Sequence, residues 1–113
     1  MPPLRWHICV VDKWKPTYDL ESFKAAFNHP GKLAVTGTAL RDARALGFDT
    51  EGIVEVIQLM LRSHFYKSTT SNWDHTEWQD VYHVTRSDMT LYVKFRADRI
   101  TEFRLLSFKE KGS

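Results

Sequence analysis

The stretch MTLYVKFRA, residues 89–97, decides the fold class because its apolar and polar side chains alternate without a break. One side of an extended strand would carry Met89, Leu91, Val93, Phe95 and Ala97, and the other side Thr90, Tyr92, Lys94 and Arg96. This period of two is typical of a strand with one face on a hydrophobic core and the other in solvent.

Two neighbouring segments have the same character. RITEFRLLSFKEK (99–111) follows MTLYVKFRA after a short turn that we place at Asp98-Arg99. WQDVYHV (78–84) precedes MTLYVKFRA and is joined to it by the polar turn TRSD (85–88). The period of two begins as early as Phe65. Strands that follow one another through short turns pair as antiparallel hairpins. The second half of the chain is therefore predicted to form an antiparallel sheet.

Three helices are predicted in the first half. KPTYDLESFKAAFNHPG (15–31) can be capped by Thr17, TALRDARALG (38–47) ends at Gly47, and FDTEGIVEVIQLMLRS (48–63) can be capped by Asp49. The apolar stripe of the third helix, which we expect to be core, is Ile53, Val56, Ile57, Met60 and Leu61. The class is then α+β, with helices of the first half packed on a sheet formed mainly by the second half.

Length and composition predict one globular domain over residues 1–113, with residues 1–15 as an N-terminal extension. The lone Cys9 cannot form an internal disulfide, and no apolar run is long enough for a signal sequence or a membrane span. We therefore expect a cytoplasmic protein without membrane association. Residues 86–113 carry seven Lys or Arg against four Asp or Glu, and this basic balance suits a phosphate-bearing partner.

Face parity brings polar side chains together on the solvent side of the sheet. We pair Ala97 with Ile100 across the second turn. Across the first turn we pair Val84 with Met89. The side chains that then share one face are Gln79, His83, Tyr92, Lys94, Arg96 and Lys109. The alternation falters at Leu105-Leu106, where we expect a bulge that would move the last member out of the set. Because antiparallel sheets often have one solvated side, a purely structural interpretation also remains open.

The residue types around this face suit metal-free cleavage of RNA. HFYKSTTSNWDHTEWQDVY (64–82) adds a lysine, two histidines and five aromatic side chains. In this chemistry the 2′-hydroxyl of the RNA attacks its neighbouring phosphorus, so the protein needs a proton acceptor, a proton donor and cations rather than a nucleophile. Lysine and tyrosine can fill these roles, and aromatic rings can stack a splayed base.

Two other chemistries are less well supported by the spacing. The side chains that could gather around a metal ion are His64, Asp74, His75 and His83. They match neither HExxH nor a C-x-x-C pair. Ser68 and Ser107 lack the strand–turn–helix context of a nucleophile elbow. We therefore expect no metal and no cofactor.

Four blocks in order resemble the MqsR family of toxin mRNA interferases. They are TGTALRDARALGFDTEGIVEVIQ (36–58), HFYKSTTSNWDHTEWQDVYHV (64–84), LYVKF (91–95) and LLSFKEK (105–111). The resemblance covers about residues 16–111. It implies the compact fold of RelE-like ribonucleases, sequence-selective cleavage of mRNA with a preference for GCU, and an antitoxin encoded in the same operon that neutralises the toxin and represses the operon. We expect no direct DNA binding by the toxin alone.

The resemblance also implies a set of site residues. The catalytic residues of the family motifs fall on Lys67, Gln79, Tyr92 and Lys109. We expect Lys67 and Lys109 to stabilise phosphate charge, one of them with a possible role as base. Tyr92 would donate a proton, and Gln79 would orient the substrate. The substrate-binding residues that we expect beside them are Tyr66, Trp73, His75, His83, Lys94 and Arg96.

Two segments depart from the family pattern. MPPLRWHICVVDKW (1–14) has no counterpart in it, although HICVV (7–11) could be an added edge strand. Thr69 stands in YKSTT where the pattern leads us to expect methionine, and this position bears on substrate preference more than on catalysis.

Two alternative functions start from other features. TALRDARALGFDTEGIVEVIQLM (38–60) superficially resembles a helix-turn-helix of a DNA-binding regulator. The exposed positions of its second helix would be Thr50, Glu51, Glu55 and Gln58. Glutamates there would repel phosphate, which argues against DNA binding. The chain could also be a toxin fold that has lost catalysis and only binds its partner, but all four predicted catalytic residues are present.

Overall fold

The computed structural model describes residues 11–71, 76–86, 88–97 and 103–112. The helices are α1 (Leu20–Ala26), α2 (Gly37–Ala45) and α3 (Thr50–Gln58), with short 3₁₀ turns at Pro30–Lys32 and Arg62–His64. The strands are β1 (Asp12–Lys13), β2 (Phe65–Thr70), β3 (Trp78–Arg86), β4 (Met89–Ala97) and β5 (Phe103–Glu110). None of the helices in these ranges is long and apolar enough to cross a membrane.

The five strands form one antiparallel sheet in the order β1-β2-β3-β4-β5, and the predicted α+β class is confirmed. Core side chains from the helices pack against one face of the sheet. On that face Phe95 stacks on Phe23 with 3.7 Å between ring centres and 4° between ring planes. The buried core cluster is Leu20, Phe23, Phe27, Ala39, Ala43, Ile53, Val56, Ile57, Met60, Tyr82, Val84, Leu91, Val93, Phe95, Leu105 and Phe108.

Two helix ends have the capping residues that the sequence predicts, and one helix end does not. Asp49 caps α3 by accepting a hydrogen bond from the Gly52 amide at 2.8 Å, and Gly47 follows α2 with φ of +92°, as predicted. The cap predicted at Thr17 is wrong, because α1 is capped by Asp19 instead. Thr17 lies in the preceding loop, where its backbone amide donates to the Asp80 carboxylate at 3.0 Å.

The predicted stripe of α3 is buried at four of its five positions. Leu61 is the exception, with 57% of its surface exposed, because α3 ends at Gln58 and a 3₁₀ turn follows. Gln58 is not an exposed helix position either. Its side-chain amide donates to the carbonyl oxygens of Lys24 and Phe27 and so ties α3 to the end of α1. A recognition helix would need that position free for DNA, so this packing argues against the regulator alternative.

The predicted β3–β4 register has the right face parity but the wrong offset, whereas the predicted β4–β5 register is off by an odd number of positions at Ala97 and so has the wrong parity there. Val84 pairs with Leu91 rather than with Met89, because β3 runs on to Arg86, which pairs with Met89. On the other side of β4, Ala97 pairs with Phe103 rather than with Ile100. A shift of two positions in the first hairpin leaves every side chain on its predicted face. The predicted turn at Asp98-Arg99 lies outside the described residues.

Candidate functional site

One face of the sheet collects the predicted catalytic residues from four strands. In one cross-strand row Lys67 of β2 pairs with Val81, Val81 with Lys94, and Lys94 with Ser107. In the next row His83 pairs with Tyr92, and Tyr92 with Lys109. We call this the functional face and define it by Lys67, Gln79, His83, Tyr92, Lys94, Arg96 and Lys109. It faces away from the core cluster.

Two β-bulges place Lys67 and Lys109 on this face. In β2 the register shifts between Phe65, which pairs with Tyr82, and Lys67, which pairs with Val81. Without the extra residue Lys67 would lie on the core face. In β5 the register shifts at Leu106, at the predicted position. Its predicted consequence is wrong: given the pairing of Ala97 with Phe103, the bulge brings Lys109 onto the functional face rather than out of it.

Aromatic rings are stacked at one end of the face. Tyr66, the extra residue of the β2 bulge, stacks on the His83 ring with 4.3 Å between ring centres, and His83 lies 5.9 Å from the Tyr92 ring. Tyr66 is 45% exposed and is therefore not a core ring. Trp14, 68% exposed, meets Tyr66 edge-on. These rings form a surface on which an RNA base can stack.

The Tyr92 phenol and the Lys94 ammonium have perturbed acidities. Burial raises the pKa of Tyr92, partly offset by the Lys67 charge, so the phenol holds its proton at neutral pH. Burial and the charge of Lys109 lower the pKa of Lys94, and Lys67 lowers it further. Val81, between Lys67 and Lys94, is fully buried yet lies outside the core cluster. The surrounding side chains of the face must therefore cover it, and they lose water in doing so.

Among the residues that the structure describes, two carboxylates contact the functional face. Asp12 of β1 lies 3.1 Å from Lys67 Nζ. Glu77 accepts a hydrogen bond from Gln79 Nε2 at 2.7 Å and lies 3.5 Å from Arg96 Nε. Glu77 thus fixes the direction of the Gln79 amide. The four cations of the face outnumber these two carboxylates, so the face keeps a positive balance available to phosphate.

A cleft of about 540 Å³ adjoins the face at the end of β5. Its lining residues are Asp42, Ala45, Leu46, Tyr92, Lys109, Glu110, Lys111 and Gly112. Tyr92 and Lys109 therefore stand between the open face and a concave space that is large enough for a nucleotide.

Other predicted residues have different outcomes. Trp73, His75 and Asp74 lie outside the described residues. Within the described ranges no group of three His, Cys, Asp or Glu side chains could hold a metal ion. Ser68 is buried and its hydroxyl lies 2.8 Å from that of Thr17, an arrangement that leaves it no access to a substrate.

Comparison with known proteins identifies the family. The model of the family described as motility quorum-sensing regulator, toxin of MqsA, matches residues 15–110. The chain belongs to the MqsR toxin family. The mRNA interferase toxin MqsR of Escherichia coli (strain K12) is 38% identical over 101 residues, which cover 89% of this chain and 100% of that protein.

The MqsR-family match leaves β1 and Trp14 outside the matched residues. Asp12, which contacts Lys67, therefore belongs to the N-terminal extension. The suggestion of an edge strand at HICVV (7–11) falls mostly outside the described residues; the strand that the structure describes is Asp12–Lys13. Asp12, Trp14 and Glu77 were missed by sequence reasoning. Only the family resemblance pointed to Lys67, and no comparable signal marks these three, because a two-residue strand and a pre-strand loop have no period.

Proposed function

We propose that this chain is the toxin of a toxin–antitoxin pair and acts as a metal-independent endoribonuclease on mRNA in the cytoplasm, with GCU as its preferred sequence. The observation that carries the proposal is the functional face itself, where Lys67, Lys94 and Lys109 lie close to a tyrosine that burial keeps protonated. Family membership and the E. coli relative, named an mRNA interferase toxin, support it. The same membership supports an antitoxin partner from the same operon.

In the proposed reaction the RNA 2′-oxygen forms a bond to its neighbouring phosphorus as its proton leaves. The bond between phosphorus and the 5′-oxygen breaks, and that oxygen takes a proton. The products are a 2′,3′-cyclic phosphate and a free 5′-hydroxyl. Tyr92 is suited to protonate the 5′-oxygen because its raised pKa keeps it in the acid form.

Lys94 is better suited than Lys67 or Lys109 to accept the 2′-proton. Its pKa is lowered by burial and by its lysine neighbours, so a larger fraction is neutral at a given pH. Lys67 is paired with Asp12, and Lys109 is exposed at the rim of the cleft. We therefore assign these two lysines to stabilising charge on the phosphate oxygens, and Gln79, held by Glu77, to orienting the phosphate.

The test is cleavage of a defined GCU-containing RNA by purified protein in excess EDTA. We expect cuts that leave 2′,3′-cyclic phosphate ends and a loss of about 100-fold or more in Lys67→Ala, because one charge-stabilising cation is removed from the site. Lys32→Ala is the matched control, since it removes the same charge from an exposed lysine on the helical side and should cleave like wild type.

Either of two results would contradict the proposal. Cleavage that vanishes in EDTA would require a metal ion in place of the lysine and tyrosine chemistry. Equal activity in Lys67→Ala and Lys32→Ala would mean that the functional face does not carry the reaction. Cutting of RNAs with and without GCU at equal rates would leave the enzyme in place and overturn the sequence preference alone.

A further inference from the structure

The carboxylate of Asp12 approaches the predicted catalytic lysine from a strand outside the family-matched residues. Asp12 Oδ2 lies 3.1 Å from Lys67 Nζ, and the two side chains are only 33% and 25% exposed. A hydrogen bond with the Thr69 side chain is the main cause that lowers the Asp12 pKa, and Lys67 adds to it. Asp12 is therefore ionised at neutral pH and is held from two sides.

The backbone around Asp12 is fixed by several hydrogen bonds. The Thr70 amide donates to the Val11 carbonyl at 2.9 Å, and the Val11 amide donates to the Thr70 hydroxyl at 2.9 Å. Just after the extension, the amides of Thr17 and Tyr18 donate to the buried Asp80 carboxylate at 3.0 and 2.9 Å. An edge segment anchored at both ends places its one acidic side chain reproducibly beside Lys67.

This geometry has two opposite consequences for an RNA phosphate. The hydrogen bond directs the flexible Lys67 side chain, so less conformational entropy is lost when a substrate binds. The negative charge, however, opposes a second anion at the same ammonium. The Asp12 charge also reaches Tyr92, whose pKa it raises, so its influence extends to the centre of the face.

We propose that Asp12 is a positioning residue of the RNA site: it directs Lys67 toward the scissile phosphate and limits how tightly that phosphate is held. The proposal rests on the ribonuclease function proposed above. Thr69 belongs to the same arrangement: it pairs with Asp12 across β1 and β2, and its side chain hydrogen-bonds the Asp12 carboxylate. The family pattern led us to expect methionine at position 69. A methionine could not make that hydrogen bond.

The experiment compares Asp12→Asn and Asp12→Ala with Asp88→Asn, the same change of charge at an exposed position in the β3–β4 turn. Binding is measured with a 2′-O-methyl version of the cleaved RNA, which has no 2′-hydroxyl to attack, and kcat and KM with the RNA itself. Thermal unfolding of each variant checks that the fold is retained.

For Asp12→Asn we expect binding about threefold tighter, a salt dependence of log Kd steeper by about 0.7, and kcat within about twofold of wild type. The amide oxygen can still accept the hydrogen bond from Lys67, while the charge is gone. For Asp12→Ala we expect binding to tighten less than in Asp12→Asn and kcat to fall about tenfold, because Lys67 is no longer directed. Asp88→Asn should match wild type in all three quantities.

Asp12 variants that bind and cleave like Asp88→Asn would overturn the inference while the ribonuclease proposal stands. A loss of more than about 100-fold in kcat for Asp12→Asn, with unchanged binding, would also overturn it, because Asp12 would then be the proton acceptor itself. If the wild-type protein cleaves no RNA, the failure belongs to the proposed function and is seen before any variant is compared.

Discussion

The two faces of strands β3, β4 and β5 are built on the same backbone, and they differ in almost every physical respect. On the core face successive side chains such as Val93 and Phe95 are fully buried among rings and branched side chains. One residue away along the same strand, Lys94 is half-buried among other cations, with a lowered pKa. Alternation by one residue thus separates an apolar environment from a charged one.

The difference shows which face stabilises the fold and which face the proposed function would use for binding. Apolar burial on the core face lowers the free energy of the folded state directly. Partly dehydrated cations on the functional face have the opposite effect, because Lys67, Lys94 and Lys109 repel one another and are only partly neutralised by Asp12 and Glu77. In the proposed function, a bound RNA phosphate would offset that unfavourable balance.

The largest effect should come from breaking the core face. Phe95→Ala removes a fully buried ring that stacks on Phe23, and we expect a loss of about 3–5 kcal/mol in the free energy of unfolding. Denaturant unfolding followed by tryptophan fluorescence measures it. Phe95→Leu keeps most of the volume and should lose less than half as much. A loss below about 1 kcal/mol for the alanine variant would mean that this ring is not central to the core.

Removing the hydroxyl group from one tyrosine on each face compares the two faces with the smallest change. Tyr92→Phe should lower kcat about 100-fold, because the proton donor is gone, and should leave the unfolding temperature nearly unchanged. Tyr82→Phe makes the same change on the core face. Burial raises the pKa of Tyr82 to about 12, and its hydroxyl has no hydrogen-bond partner among the described residues. We expect Tyr82→Phe to keep full activity and to be as stable as wild type or slightly more so.

An equal loss of activity in the two variants would contradict the assignment of Tyr92 as the proton donor. If Tyr82→Phe lost activity as much as Tyr92→Phe, the loss would reflect a general disturbance of the sheet rather than a missing proton donor. Measuring kcat and the unfolding temperature on the same preparations separates the two explanations.

The core face could be predicted from sequence, and the functional face only in part. Strict alternation in MTLYVKFRA and the stripe in α3 identified the α+β class and seven of the sixteen residues in the buried core cluster, since burial requires those periods. Parity correctly placed His83, Tyr92 and Lys94 together, although the hairpin offset was wrong, because a shift of two positions preserves the face. The MqsR-family resemblance, confirmed by the family match, added Lys67.

The parts that could not be predicted are those where the period fails. A bulge inserts one residue, so every later side chain of that strand moves to the opposite face of the sheet. The sequence around Tyr66 contains no signal for the bulge there. The bulge at Leu106 was predicted, but its effect on Lys109 was reversed, because Ala97 pairs with Phe103 rather than with Ile100. Asp12 depends on the pairing of a two-residue strand with a partner more than fifty positions away, a contact that no local pattern encodes.

The smallest effect that we expect is a shift in the pH dependence of kcat. If neutral Lys94 accepts the proton, kcat rises with pH as Lys94 loses its charge. Lys109 lowers the Lys94 pKa, so Lys109→Ala should raise that pKa and move the rising limb by about half a unit toward higher pH, on top of its loss of rate. Lys111→Ala is the control, because the Lys111 charge lowers the pKa of His83 instead and should leave the limb in place. A limb that stays fixed in Lys109→Ala, or moves equally in both variants, would exclude Lys94 as the titrating base.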